Sequence, residues 1–138
     1  MDATRILAGG LAVNRILFGA NYVARPGSAE PSWIGRAARK PGTQVMIRSQ
    51  GARDVALGLG ALWALARGGD SRAWMAAHAL SDGVDAAATW AARDRLPRRR
   101  ARRALAIAVG STAVALLGAA RLGGGGAQAP AGQAPDRA

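Results

Sequence analysis

The chain has 138 residues and a formal charge of +11, from nineteen Lys and Arg against eight Asp and Glu. Half of it is apolar, but Phe18 is the only phenylalanine and alanine supplies much of the remainder, so a soluble core built from large side chains would be thin. The absence of cysteine excludes disulfides, thiol chemistry and thiolate-held metals.

The length suits one domain. So basic a chain invites a nucleic-acid reading, since clustered cations neutralise phosphates. Here, however, the cations fall between apolar segments, where a membrane protein places them.

The first apolar run, Ile6 to Val23, has Arg15 at its middle and predicts a helix over about 5–24 that stops before Pro26. Only Arg5 stands ahead of the run as a cation, and no small-x-small cleavage pattern follows, so it reads as a retained helix and not a signal peptide. From Arg25 to Gly42 the chain is rich in turn residues, and PSWIGRAARK there suggests a short amphipathic turn with Trp33 and Ile34 against a membrane surface.

A second helix is expected over 43–67, with Thr43 as N-cap and Gly68-Gly69 as its stop. A third follows the Asp70-Ser71 capping pair over 71–93 and carries His78, Asp82 and Asp85. The fourth, over 97–121, contains the clearest apolar stretch, Ala104 to Ala120, seventeen residues without a charge. Pro97 opens it and Gly123 closes it. With its flanks it reaches the roughly 20 residues that cross a hydrocarbon layer of about 30 Å. Residues 123–138 form a Gly/Ala/Pro tail with no packing capacity, expected to be disordered. The fold expected is all-α: a four-helix transmembrane bundle over 1–122, with short loops.

Charge asymmetry orients such a bundle. Arg25, Arg36, Arg39, Lys40 and Arg48 in the first connection, with Arg93, Arg95, Arg98, Arg99, Arg100, Arg102 and Arg103 in the third, make twelve cations on one side. Five lie on the other: Arg5, Arg67, Arg72, Arg121 and Arg137. The positive-inside rule then places the basic connections in the cytoplasm and both termini outside a cell membrane crossed several times. Tyr22 and Trp90 fall at the expected cytoplasmic helix ends, and Trp63 and Trp74 at the outer ends, as an interfacial aromatic belt would have them. Small residues four apart, Ala56 with Gly60, Ala106 with Gly110 and Val114 with Gly118, offer close helix contacts.

Five ionisable residues interrupt these spans: Arg15, Arg53, Asp54, Asp82 and Asp85. Each costs about 2.5–3.5 kcal/mol at a helix centre on insertion scales unless paired or hydrated. At roughly 1.5 Å of rise per residue, Arg53 matches Asp85 in depth, and Arg15 matches Asp82. His78, Asp82, Asp85 and Thr89 share one face of the third helix, which should point inward. Asn14 and Asn21, seven apart on the first helix, offer further hydrogen bonds.

Two readings of this set stand side by side. It is a structural ion-pair network that fixes helix register, or a proton, ion or small-ligand pathway, as intramembrane carboxylates often mark. A metal site from His78, Asp82 and Asp85 ranks below both, because three ligands strung along one helix span too long a face. No cofactor or metal is expected.

No Walker loop, dinucleotide fingerprint, HExxH or nucleophile elbow is present, which argues against an enzyme. The run LPRRRARR, with Arg98, Arg99, Arg100, Arg102 and Arg103, reads as a loop that contacts anionic lipid headgroups ahead of nucleic acid.

The segment QGARDVALGLGALWALARG, followed by RAWMAAHALSDGVDAAATWAAR, resembles a family of small four-helix bacterial membrane proteins known only as a domain of unknown function. Gly51, Arg53, Asp54 and Gly58 match its glycine-x-arginine-aspartate helix opening, and Asp85 matches an aspartate of its next helix; Asp82 stands where that family tends to have proline. The resemblance covers the middle third of the chain and implies a membrane bundle without an assigned activity. The layout is also similar, more loosely, to DoxX-like proteins.

The function expected is that of a membrane-embedded accessory or interaction protein, with a homo-oligomer or another protein as partner. The alternative is a small transporter or ion-coupled carrier using Arg53, Asp54 and Asp85. A soluble, basic, nucleic-acid-binding helical protein comes third.

Overall fold

The computed structural model describes residues 3–29 and 33–122. The tail expected over 123–138 and the stop at Gly123 lie outside them. The described chain is all helical, in four long segments: α1 (Ala3–Ala24), α2 (Pro41–Ala66), α3 (Arg72–Ala91) and α4 (Arg98–Leu122).

The ends follow local chemistry. α2 starts at Pro41, two residues before the expected Thr43 cap. Proline at the first helical position gives up an N–H that would have no partner anyway, and its φ is already helical. α2 stops where Gly68 takes φ +67° and the Gly69 N–H donates to the Ala64 carbonyl at 2.9 Å. At the start of α3 the Arg72 N–H donates to Asp70 Oδ1 at 2.8 Å, while the Ser71 side chain makes no capping bond. α4 begins on the Pro97 carbonyl, which accepts from the Arg100 and Ala101 N–H groups. Arg98, Arg99, Arg100, Arg102 and Arg103, read as a basic lipid-facing loop, therefore occupy the first turns of the helix expected over 97–121.

α1 and α2 form the most extensive interface, as one hairpin, and α3 and α4 form the next, as a second. The two hairpins touch each other much less. In the first hairpin the buried positions are Ala8, Ala12, Arg15, Gly19 and Tyr22 on α1, against Ile47, Gly51, Asp54, Gly58 and Ala61 on α2. Ala64 is buried on α2 as well; up to Ala61 both series alternate steps of four and three, the spacing that keeps one stripe facing a partner helix. At Gly19 and Gly51 the backbones themselves meet: a Cβ on either would fall 2.5 Å from the other's carbonyl oxygen. Gly58 sits equally close to the Ala12 carbonyl and Ile16. The backbone-to-backbone contacts lie on this seam, and the positions the sequence suggested are borne out only in part. Ala56, Ala106 and Gly110 are exposed, and only Gly60, against Trp74, and Gly118, against Met75, meet another helix.

The loop between α1 and α2 folds back on the helix ends. Tyr22, Ala29, Ala38 and Ile47 form a small cluster with Ile34 against it, and Trp33 Nε1 donates to Thr89 Oγ1 at 3.1 Å. Trp33 and Ile34 are therefore engaged by the bundle, where a membrane-surface turn was expected; a satisfied indole N–H and a ready apolar cluster hold them there. Gly35, at φ +67°, packs on Pro97 and Arg100, so the two basic connections share one end of the molecule.

The interior holds charged as well as apolar side chains, and many large apolar side chains lie on the surface. Arg15, Asp54, His78 and Asp82 are all buried, whereas Leu17, Leu80, Ile107 and Leu117 are each more than half exposed. Met75 and His78 are the largest side chains fully enclosed; alanine fills most of the remaining interior. On α4 only Ala101 and Ala115 are buried. α1 and α4 are long and apolar enough to cross a membrane. α2 and α3 do not meet that measure, because Arg48, Arg53 and Asp54 interrupt one and Asp82 and Asp85 the other.

Candidate functional site: an ion-pair network beside a cavity

The site is built from all four helices. Arg15 is placed by the α1 seam, four residues before Gly19, so the close backbone approach fixes its depth against α2. Its guanidinium donates to Asp54 Oδ1 at 2.8 Å, to Asp82 Oδ1 through the other terminal nitrogen, and to the Ser81 hydroxyl at 3.4 Å. The planar fork of arginine suits this bridging role, since it presents several fixed donors to two carboxylates at once. Arg15, Asp54 and Asp82 side chains are each no more than 9% exposed.

Arg53 and Asp85 form the second centre. Arg53 donates to Asp85 Oδ2 at 2.8 Å and reaches Asp54 Oδ1 at 3.4 Å, and Gln50 adds a bond to Asp85 at 3.3 Å. This centre is wetter: the Arg53 side chain is 37% exposed and that of Asp85 23%. Asp54 accepts from both arginines and thus joins the two centres.

The structure brings together the pairs matched by depth, Arg53 with Asp85 and Arg15 with Asp82. The contact between Arg15 and Asp54 went unforeseen. The signal was available: Arg15 and Asp54 occupy the same register in the four-three stripes of α1 and α2, flanked by Gly19 and Gly51. His78 is on the inward face with Asp82 and Thr89, fully enclosed, and makes no ring hydrogen bond of good geometry. Tyr22 is buried at 2% exposure, its ring centroid 4.5 Å from that of Phe18, so it belongs to the interior and not to an interfacial belt. Trp63 and Trp90 are exposed near helix ends, and each carries an arginine over its ring, Arg67 and Arg93 respectively.

Beside the network is a cavity of about 370 Å³. Its lining includes the aromatic Phe18, Tyr22 and Trp33, the carboxylates of Asp54, Asp82 and Asp85 with the guanidiniums of Arg15 and Arg103, and the apolar Leu11, Ile107 and Ala108. Trp33 and Arg103 were not grouped with these charges by sequence, because only the return of the loop and the entry angle of α4 bring them there. Asn14, Phe18, Arg103 and Ile107, which line it, are exposed, so it opens sideways between α1 and α4. Asn21 is elsewhere, donating to the Ser28 hydroxyl at 2.8 Å.

The arrangement can clamp two hairpins together and can receive a small molecule; no nucleophile–base pair is formed among these residues. Comparison with protein-family models, with curated proteins and with solved structures finds no match to this chain.

Proposed function

We propose that this protein is a multi-pass integral membrane protein in which both hairpins cross the bilayer, giving four spans. In this reading Arg15 and Arg53 fasten the hairpins to each other, and the assembled bundle serves as an accessory or interaction component, without catalysis. The observation that carries it is the burial of Arg15, Asp54 and Asp82 in a bundle whose surface exposes many large apolar side chains, Leu17, Leu80, Ile107 and Leu117 among them. An apolar surface of that extent is stable against lipid and not against water. Charges within a membrane are tolerated when they face the bundle interior and pair, as Arg15, Asp54 and Asp82 do. The twelve cations gathered at one end favour a cytoplasmic position for that end, against anionic headgroups, with both termini outside.

The test is extraction of isolated membranes with alkaline carbonate. The protein is expected to stay with the membrane pellet, and its release to the supernatant would sink the proposal and favour a soluble nucleic-acid-binding role. A reporter on the C-terminus is expected to be active only outside the cytoplasm.

A second reading, a small carrier coupled to an ion or proton through Arg53, Asp54 and Asp85, is favoured by one observation: Asp54 and Asp85 line the cavity. Asp85→Asn separates the two. Weakened assembly supports the fastening role, and intact assembly with altered flux supports the carrier.

A further inference from the structure

Each carboxylate that lines the cavity has a guanidinium against it: Arg15 serves Asp54 and Asp82, and Arg53 serves Asp85. Arg103 lines the same cavity and differs from these two. It is exposed on the second turn of α4, and no ion pair or hydrogen bond holds it among the described residues. A long side chain without a fixed partner has several staggered rotamers open to it.

An acceptor lies at the same depth. Asp85 stands six residues before the end of α3 and Arg103 five residues after the start of α4, in one hairpin. At a shared rise of about 1.5 Å per residue the two positions are level. Asp85 Oδ2 takes the 2.8 Å bond from Arg53, while Oδ1 receives only a 3.5 Å contact from the same guanidinium. An ionised carboxylate has about four lone-pair sites, so Oδ1 can accept a second donor. The Asp85 side chain is 23% exposed and lines the cavity, and Ala104 and Ala108 put no bulk on the α4 side of it.

We propose that Arg103 is a movable gate on this cavity. Its guanidinium swings from the exposed position onto Asp85 Oδ1 and draws the side chain across the opening between α1 and α4. The closed form shields the ion pairs behind it, and the open form admits small molecules. The latch joins groups of one hairpin and depends on the bundle alone, so it goes beyond membrane placement and the two fail separately. A protein extracted by carbonate can still show the gate, and a firmly embedded one can still lack it.

Because the chain has no cysteine, a single engineered thiol reports access without competition. Thr89→Cys is nearly isosteric and places that thiol in the cavity lining at a position only 4% exposed. Its modification by N-ethylmaleimide, a neutral reagent, is timed by mass spectrometry on the full chain in detergent micelles. Arg103→Gln should raise the rate about two- to fivefold, as expected for release of a solvent-screened ion pair. Arg103→Lys, which keeps the charge, should stay near the parent rate. Raising salt from about 0.05 to 1 M should speed the parent by a similar factor and leave the Arg103→Gln protein unchanged, because salt screens exposed pairs. In an Asp85→Asn background Arg103→Gln should add nothing, since the two partners are coupled. Loss of a nearby cation by itself disfavours the reactive thiolate, so a faster reaction reads access.

Leu17→Cys, exposed and outside the lining, should be indifferent to all of these changes. Circular dichroism checks that each variant keeps its helices, and if Thr89→Cys does not, Ala108→Cys supplies the thiol from the α4 side. Five results would each overturn the proposal: equal rates with Arg103 and Arg103→Gln, Arg103→Lys as fast as Arg103→Gln, a salt response that survives Arg103→Gln, an undiminished effect in the Asp85→Asn background, or the same rise at Leu17→Cys.

Discussion

The two hairpins achieve helix contact in opposite ways. Along α1 and α2 the chain brings backbone against backbone at Gly19, Gly51 and Gly58, and sets its most enclosed ion pair, Arg15 with Asp54, in the middle of that seam. Along α3 and α4 contact relies on side chains such as Met75 against Gly118, and nearly all of α4 faces outward. The difference shows where an interior charge can be kept. Arg15 is fixed because the seam leaves it no other depth, whereas α4, bare of buried charge, is free to present leucine and valine to its surroundings.

Breaking the seam at its charge has the largest expected effect. Arg15→Met leaves Asp54 and Asp82 buried without their shared partner and should cost about 3–5 kcal/mol. Thermal unfolding in detergent followed by circular dichroism reads this, and adding Asp54→Asn and Asp82→Asn should recover much of the loss. Unchanged stability in the single variant would deny the network its fastening role.

Next comes the backbone contact. Gly51→Ala drives a methyl into the Gly19 carbonyl and should destabilise by about 1–3 kcal/mol, the usual cost of overpacking. The corresponding change on the other hairpin, Gly110→Ala, meets nothing within 4 Å. It should be neutral or stabilise by up to about 1 kcal/mol, through helix propensity alone. Equal melting shifts for the two alanines would remove the contrast between the hairpins.

Between these extremes lies Asp85→Asn. Its partner Arg53 is more than a third exposed and retains Asp54, so the expected loss is smaller than for Arg15→Met, about 1 kcal/mol after solvent screening. A loss as large as that of Arg15→Met would mean that the two centres bear equal weight.

Much of this was legible in the chain. Helix number and approximate bounds followed from apolar runs punctuated by Pro26, Pro41, Gly68 and Pro97, because those residues act locally. The pairs Arg53 with Asp85 and Arg15 with Asp82 followed from depth, which depends on a fixed rise per residue. Arg15 with Asp54 required the relative rotation of α1 and α2, and this is set by glycines whose partners are 32 residues away in sequence at Gly19 and Gly51. Tyr22 and Trp33 were misplaced for a related reason. An aromatic ring at a helix end can lie against lipid or against its own loop, and only the return of residues 33–39 across the helix ends decides. The aromatic side of the cavity was therefore beyond a reading of spans.

The division of charge between the hairpins also bears on how the protein is made. In a bilayer the first hairpin alone holds Arg15, Arg53 and Asp54, one positive charge in excess, and the second alone holds Asp82 and Asp85, two negative ones. Neither half is electrically complete when it leaves the ribosome. If both hairpins cross a membrane as proposed, the first would persist with an unmatched guanidinium until the second arrives, coupling insertion to assembly, and a chain truncated after α2 would expose an intramembrane charge.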